Sequence, residues 1–129
     1  MPLQAAQSYA KLPASDLDRA RRFYVETLGL QPAFEGPGWV RFVCGGGTNF
    51  LVFLSRGKAS GDHDQAGWIV DDIEAEVADL RRRGVTFEEW PGETFVDGIR
   101  EDPSGRAAWF RDSEGNLLNL RWNRPVNRP

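Results

Sequence analysis

The chain has 129 residues, 27% of them charged and 40% hydrophobic, with a formal net charge of −3. That length suits one compact domain with a real core. The acidic balance excludes the basic stripe of a nucleic-acid surface, and no run approaches the roughly 18 apolar residues of a membrane span. The N-terminus lacks the charged start and apolar run of a signal peptide, and the lone Cys44 has no partner for an internal disulfide. The sequence therefore reads as a cytoplasmic protein with neither nucleic acid nor membrane as a partner. Cys44 reads as a small apolar residue rather than a nucleophile.

Alternation predicts a first strand over residues 8–12. A helix follows from Asp16 to Leu28. Ser15 and Asp16 are suitable N-caps, Gly29 is a suitable terminator, and Leu17, Ala20, Tyr24 and Leu28 form its apolar stripe. Strands are expected near residues 31–34, 39–44 and 50–54, with Gly45-Gly46-Gly47 turning the last two into a hairpin. That glycine run joins two strands instead of opening a helix, so it is not a phosphate loop. Residues 55–64 are small and polar and read as a linker.

The pattern then restarts. Residues 66–70 form a strand, and Asp71 to Arg83 a helix with Asp71 and Glu74 spaced for a capping box. Ile73, Val77 and Leu80 face inward, Gly84 ends the helix, and Arg81-Arg82-Arg83 complement its dipole. Strands are expected near residues 85–90, 106–111 and 117–122. A long loop lies between Pro91 and Gly105, and a loose tail begins at Arg124. The order is strand-helix-strand-strand-strand, twice: module one over about 8–54, the linker 55–64, module two over about 65–122, and a tail over 123–129. The repeat extends to the last hairpins. Gly46-Gly47-Thr48-Asn49-Phe50-Leu51-Val52 and Glu114-Gly115-Asn116-Leu117-Leu118-Asn119 each read as a turn ending in Asn before an apolar strand. That alignment places Val52 opposite Asn119.

The segment from Leu12 to Leu30 resembles the first strand and helix of the vicinal oxygen chelate superfamily. Val70-Asp71-Asp72-Ile73-Glu74 resembles its second strand-to-helix junction, and the segment from Gly105 to Leu118 its C-terminal hairpin. The resemblance covers roughly residues 8–122. It implies an α+β fold of two βαβββ modules whose curved mixed sheets surround a central cavity. The superfamily includes glyoxalase I, extradiol dioxygenases, fosfomycin-resistance enzymes, epimerases and bleomycin-binding resistance proteins, many of them homodimers. In its metal-using members four strand positions supply His, Glu or Gln. Counted onto this chain, those positions are Tyr9, Val52, Gln65 and Asn119.

Divalent transition metals favour imidazole, carboxylate or thiolate. Val52 has no donor, the amides of Gln65 and Asn119 carry no charge, and Tyr9 would have to lose a proton of reference pKa about 10. The single His63 falls in the linker. The expectation is no metal and no cofactor.

Alternation also predicts the cavity lining. Tyr9 and Lys11 would share it with Phe50, Val52 and Leu54, and Gln65 and Asn119 with Gly67, Ile69, Leu117 and Arg121. Trp109 and Arg111 should point inward and, by the module repeat, Trp39 and Arg41 as well, with Trp68 on the opposite side. The predicted ligand-binding set is thus Tyr9, Lys11, Trp39, Arg41, Val52, Gln65, Trp109, Arg111 and Asn119. Its aromatic walls suit a planar ligand. Lys11, Arg41, Arg111 and Tyr9 could act on protons or polarise a carbonyl, and Asp97, Glu101 and Asp102 of the long loop could supply a base, but no nucleophile–base–orienter triad is present.

The expected function is metal-independent binding of an aromatic natural product or antibiotic by a homodimer, leaning against an enzyme. Two alternatives remain. One is a lyase, isomerase or dioxygenase-like enzyme with an atypical or metal-free site. The other is a scaffold whose cavity is filled by its own side chains, closed by Trp39, Trp109 and the 91–105 loop.

Overall fold

Both helices start where a carboxylate can accept a backbone N–H. In a computed structural model of the chain, which describes residues 3–125, Asp16 accepts from the Arg19 N–H at 3.0 Å. Asp72 accepts from Ala75 at 3.1 Å. The second cap is therefore Asp72 rather than Asp71, because it is Asp72 whose extended backbone turns its carboxylate onto the first turn. The first helix, α1, is Leu17–Arg22 and the second, α2, is Ile73–Arg82. The predicted helix to Leu28 is not α-helical throughout. Phe23–Thr27 widens into a π turn, closed by the Leu28 N–H on the Phe23 carbonyl. Gly29 and Gly84 follow at φ 76° and 95°, the left-handed conformation that ends a helix without a Cβ penalty.

The chain divides into two compact units, the first running to Ser60 and the second from Gly61. The first unit contains β1 (Ala10–Ala14), β2 (Pro32–Gly36), β3 (Trp39–Val43) and β4 (Asn49–Leu54), ordered β1-β4-β3-β2. The β1–β4 pair is parallel and the others antiparallel. Pro13 is tolerated because β1 is an edge strand. One face of this sheet packs under α1 and the π turn: Leu12, Ala14, Val40, Phe42, Phe50 and Val52 are buried with Ala20 and Tyr24. The Tyr24, Phe42 and Phe50 rings meet at centroid distances of 5.3–5.5 Å. The other face stays open to a much greater degree.

The second unit contains β5 (Ala66–Ile69), β6 (Phe87–Glu88), β7 (Phe95–Val96), β8 (Ile99–Asp102), β9 (Gly105–Arg111) and β10 (Leu117–Asn123). Its order is β5-β10-β9-β8-β7, with β6 also on β9. Its buried face carries Ala108, Phe110, Leu118, Leu120 and Phe87 against Ile73, Val77 and Leu80 of α2. Trp68 joins that side, its ring stacked 6.4 Å from Phe110. Together the units give the α+β architecture of two curved mixed sheets that the sequence predicts.

The stretch expected to be a loop between Pro91 and Gly105 contains two strands. β7 and β8 form a hairpin around Asp97-Gly98, both with positive φ (52° and 78°), the backbone requirement of a two-residue hairpin turn. Conversely, the predicted strand over 85–90 shrinks to Phe87–Glu88. Both β6 and β8 pair with β9, so they are two pieces of one edge. Of the predicted tail, residues 126–129 lie outside the described residues.

Candidate functional site

Pairing decides which side chains share a face. In the first unit Lys11 pairs with Leu51, and Leu12 with Val52. Arg41 also pairs with Leu51, and Trp39 with Phe53. The open face therefore carries Tyr9, Lys11, Trp39, Arg41, Asn49, Leu51 and Phe53. Val52 is not on it. It is 1% exposed, on the helix side with Leu12 and Val40, and Phe50 lies there too. The prediction that Val52 shares a site with Tyr9 and Lys11 is corrected to Leu51.

The turns explain the slip. The Cys44 N–H bonds the Thr48 carbonyl at 2.7 Å, and the Asp112 N–H bonds the Asn116 carbonyl at 3.0 Å. Thr48, not Asn49, thus matches Asn116, and Leu51 matches Asn119. A shift of one residue moves a strand's side chains to the other face. By the same match Arg41, rather than Trp39, is the counterpart of Trp109.

Tyr9 and Arg41 meet. The Arg41 guanidinium lies 4.9 Å over the Tyr9 ring centroid, and its Nη1 donates to Asn49 Oδ1 at 2.5 Å. They line a hollow of about 640 Å³ within the first unit, with Gln7, Phe34, Val43, Gly47 and Asn49. Two of its apolar walls are strongly exposed, Tyr9 at 48% and Phe34 at 65%. Lys11 and Trp39 lie further along the face. The Lys11 Nζ sits 4.8 Å over Phe53. The Trp39 indole spreads over Gly36, where an added Cβ would collide with its ring.

In the second unit Asn119 pairs with Gly67 and Trp109, so these share the open face with Arg111, Leu117 and Gln65. Trp109 is only 8% exposed. It packs with Ala107 and Leu117 beneath Trp90 and Phe95, with Trp90 5.0 Å away edge to face. Arg100 lies 4.6 Å over Trp109, and Glu93 holds both Arg100 (2.7 Å) and the Trp90 indole N–H (2.6 Å). The Arg100 guanidinium keeps the Glu93 carboxyl below its ordinary value. Arg111, on that same face, is tied to Glu88 at 2.9 Å and to the Gly115 carbonyl. Asn119 Oδ1 fills the space above Gly67. The Gln65 Oε1 is enclosed, without a hydrogen-bond partner among the described residues.

Sequence reasoning missed Asn49 and Phe34 in the first unit, and Trp90, Phe95, Glu93 and Arg100 in the second. The Asp97-Gly98 pair between Phe95-Val96 and Ile99 was the available signal for the second group. A further hollow of about 610 Å³ lies on the helix side of the second unit, between Val77 and Arg81 of α2 and Val96 and Ile99 of the hairpin. It contains none of the predicted ligand-binding residues, although Asp97 and Glu101, two of the candidate bases, line it.

The donors at the family's metal positions do not fit a divalent metal. The first unit offers the Tyr9 phenol and the hydrocarbon Leu51, the second two neutral amides. Among the described residues no three His, Cys, Asp or Glu side chains cluster in a way that could hold an ion. His63 is exposed. No helix among those residues is long and apolar enough to cross a membrane.

Two βαβββ-like units, each with one helix-covered and one open sheet face, define the vicinal oxygen chelate class of fold. The chain belongs to the glyoxalase/bleomycin resistance protein/dioxygenase superfamily, whose family model matches residues 6–120. No curated protein sequence matches it. Among solved structures it resembles TnmS3, an antibiotic binding protein from Streptomyces sp. CB03234, at 27% identity. That match covers 93% of this chain and 97% of the other, with a TM-score of 0.75. A glyoxalase/bleomycin resistance protein from the same organism is 28% identical over 90% and 99% of the two chains, TM-score 0.69. The bleomycin-binding protein of Streptomyces verticillus, complexed with copper(II)-bleomycin, shares the fold at 19% identity over 92% and 97%, TM-score 0.69.

Proposed function

We propose that this protein binds a small aromatic natural product, of the antibiotic type, without a metal, and sequesters it instead of converting it. The observation that carries this reading is the hollow in the first unit. Tyr9 and Arg41, singled out from sequence, line it together, and its volume of about 640 Å³ lies within the range of small-molecule sites. Exposed Tyr9 and Phe34 offer flat apolar surface, and Arg41 and Asn49 offer directed polar groups. The resemblance to an antibiotic binding protein at 27% identity supports the same reading. So does a donor set ill-suited to the metal chemistry of other superfamily members. A cytoplasmic homodimer is part of the proposal.

Titration with a panel of planar natural products, followed by Trp emission and by mass spectrometry, tests this. Stoichiometric quenching without a converted product is the expected result. Flat titrations across the panel would sink it, and turnover of any member would replace sequestration by catalysis. Elemental analysis should find no stoichiometric metal, and sedimentation should find a dimer.

A further inference from the structure

The two units differ in how their cations are compensated. Up to Ser60 the chain carries seven Lys and Arg against four Asp and Glu; from Gly61 it carries nine against fifteen. In the second unit Arg100, Arg106, Arg111, Arg121 and Arg124 each hold a carboxylate within 3.0 Å. In the first unit all four carboxylates belong to the helix side. Asp16 caps α1 and Asp18 lies in its first turn. Glu26 is in the π turn, and Glu35 is bound to Arg21 of α1 at 2.7 Å. Arg41 and Lys11 on the open face have no ion pair among the described residues.

Arg41 is nevertheless held in place. Its planar face lies on Tyr9, and one N–H is committed to Asn49. A guanidinium has five N–H donors in a fixed fork. The remaining donors border a hollow whose other walls are apolar or neutral. A cation pre-ordered by a ring and a neutral amide, beside a cavity without a carboxylate from its own unit, is arranged to receive an oxyanion.

Resting on the binding function proposed above, we infer that the ligand is an acidic aromatic. Its carboxylate or ionised phenol pairs with Arg41, and its ring lies along Tyr9 and Phe34. Lys11, further along the same face, adds long-range attraction without contact.

Calorimetric titration of the full chain with 2-naphthoate and with the neutral, nearly isosteric 2-naphthamide tests the inference. Wild type should bind the acid about tenfold or more tighter than the amide, the discrimination of one charge-assisted pair. Arg41→Gln should abolish that difference by weakening the acid far more than the amide, and Arg41→Lys should restore part of it. The preference should also shrink as salt is raised. An unchanged thermal midpoint certifies that the variants fold. If Arg41→Gln does not fold, the salt series on wild type decides: an acid preference that is flat with salt overturns the inference. Equal binding of acid and amide by wild type, or an acid preference that survives Arg41→Gln, also overturns it while leaving aromatic binding intact. Failure of wild type to bind either probe overturns the binding function itself, and this inference with it.

Discussion

The open faces of the two sheets use the same materials to opposite ends. Each presents aromatic rings with a guanidinium laid over one of them: Arg41 on Tyr9 in the first unit, Arg100 on Trp109 in the second. In the first the rings are exposed and the cation has only a neutral partner. In the second, Trp90 and Phe95 cover Trp109, and Glu93 neutralises Arg100. One face is left unsatisfied and the other satisfies itself. An aromatic-plus-arginine composition is therefore not enough to mark a binding surface; what matters is whether the chain supplies its own partners. The alternative of a cavity filled by its own side chains describes the second face well and the first poorly.

Truncation should separate the faces most sharply. Trp109→Ala should lower stability by about 3–5 kcal/mol, the range for emptying a packed aromatic site. Tyr9→Ala, at a half-exposed position, should stay within about 0.5 kcal/mol and instead weaken ligand binding. Urea unfolding of both variants checks this, and equal losses would erase the distinction.

Gly67→Ala should cost about 1–3 kcal/mol. Its Cβ would meet not only the movable Asn119 side chain but also the Asn119 backbone carbonyl at 2.7 Å. In the first unit Lys11 pairs with Leu51 as Gly67 pairs with Asn119, and it already carries a long side chain there. Lys11→Ala should thus unfold at the wild-type urea midpoint.

Gln65→Leu replaces an enclosed acceptor that has no partner among the described residues, so stability should hold or rise by up to about 1 kcal/mol. A clear loss in thermal denaturation would show that the amide is satisfied in solution.

The smallest effect is acid sensitivity. Glu35 is lowered by Arg21, Glu93 by Arg100, and Asp102 well below the carboxylate range by Arg121 and Ser104. A carboxyl lowered on folding contributes stability above its unfolded value. That contribution is lost as pH falls through the folded value. Stability should therefore decline below the ordinary values of 4.5 and 3.8, gently, because these pairs are solvent-accessible. Asp102→Asn should flatten the acid limb of a pH series more than Glu35→Gln, which would place more of the linkage in the second unit.

The Asp16 cap of α1, the terminating Gly29 and Gly84 and the buried stripe of α2 were legible, because each depends on a local backbone requirement written in one or two residues, whereas the cap of α2 falls on Asp72, one residue after the Asp71 expected. That Tyr9, Trp39, Arg41, Trp109 and Arg111 lie on the sheet faces away from the helices was legible from period-two alternation. Val52 was misplaced because counting from a turn requires knowing which residue closes it. Thr48 and Asn116 do so in the two hairpins, and only the second is an Asn. The burial of Trp109 could not be read from its own strand, since its cover comes from Trp90 and Phe95, residues of a stretch rich in Gly, Pro and acids that resembled a loop. What occupies a face is a tertiary fact even when its direction is a local one.

The divided edge of β9 has a consequence for how this framework varies. Glu88 pairs with Trp109 and Arg100 with Ala107, so Ile99 stands opposite Ala108, the next rung after Glu88. Residues 89–98 leave the ladder and rejoin it without skipping a rung. Their neck is fastened by the Gly98 N–H on the Glu89 carboxylate at 3.0 Å. They behave as a cassette: joined directly to Ile99, Glu88 would continue one unbroken strand, and a different insert could stand there with the register intact. The cover over Trp109 is thus an exchangeable part, and with a shorter insert the second sheet would bare its aromatic floor as the first already does.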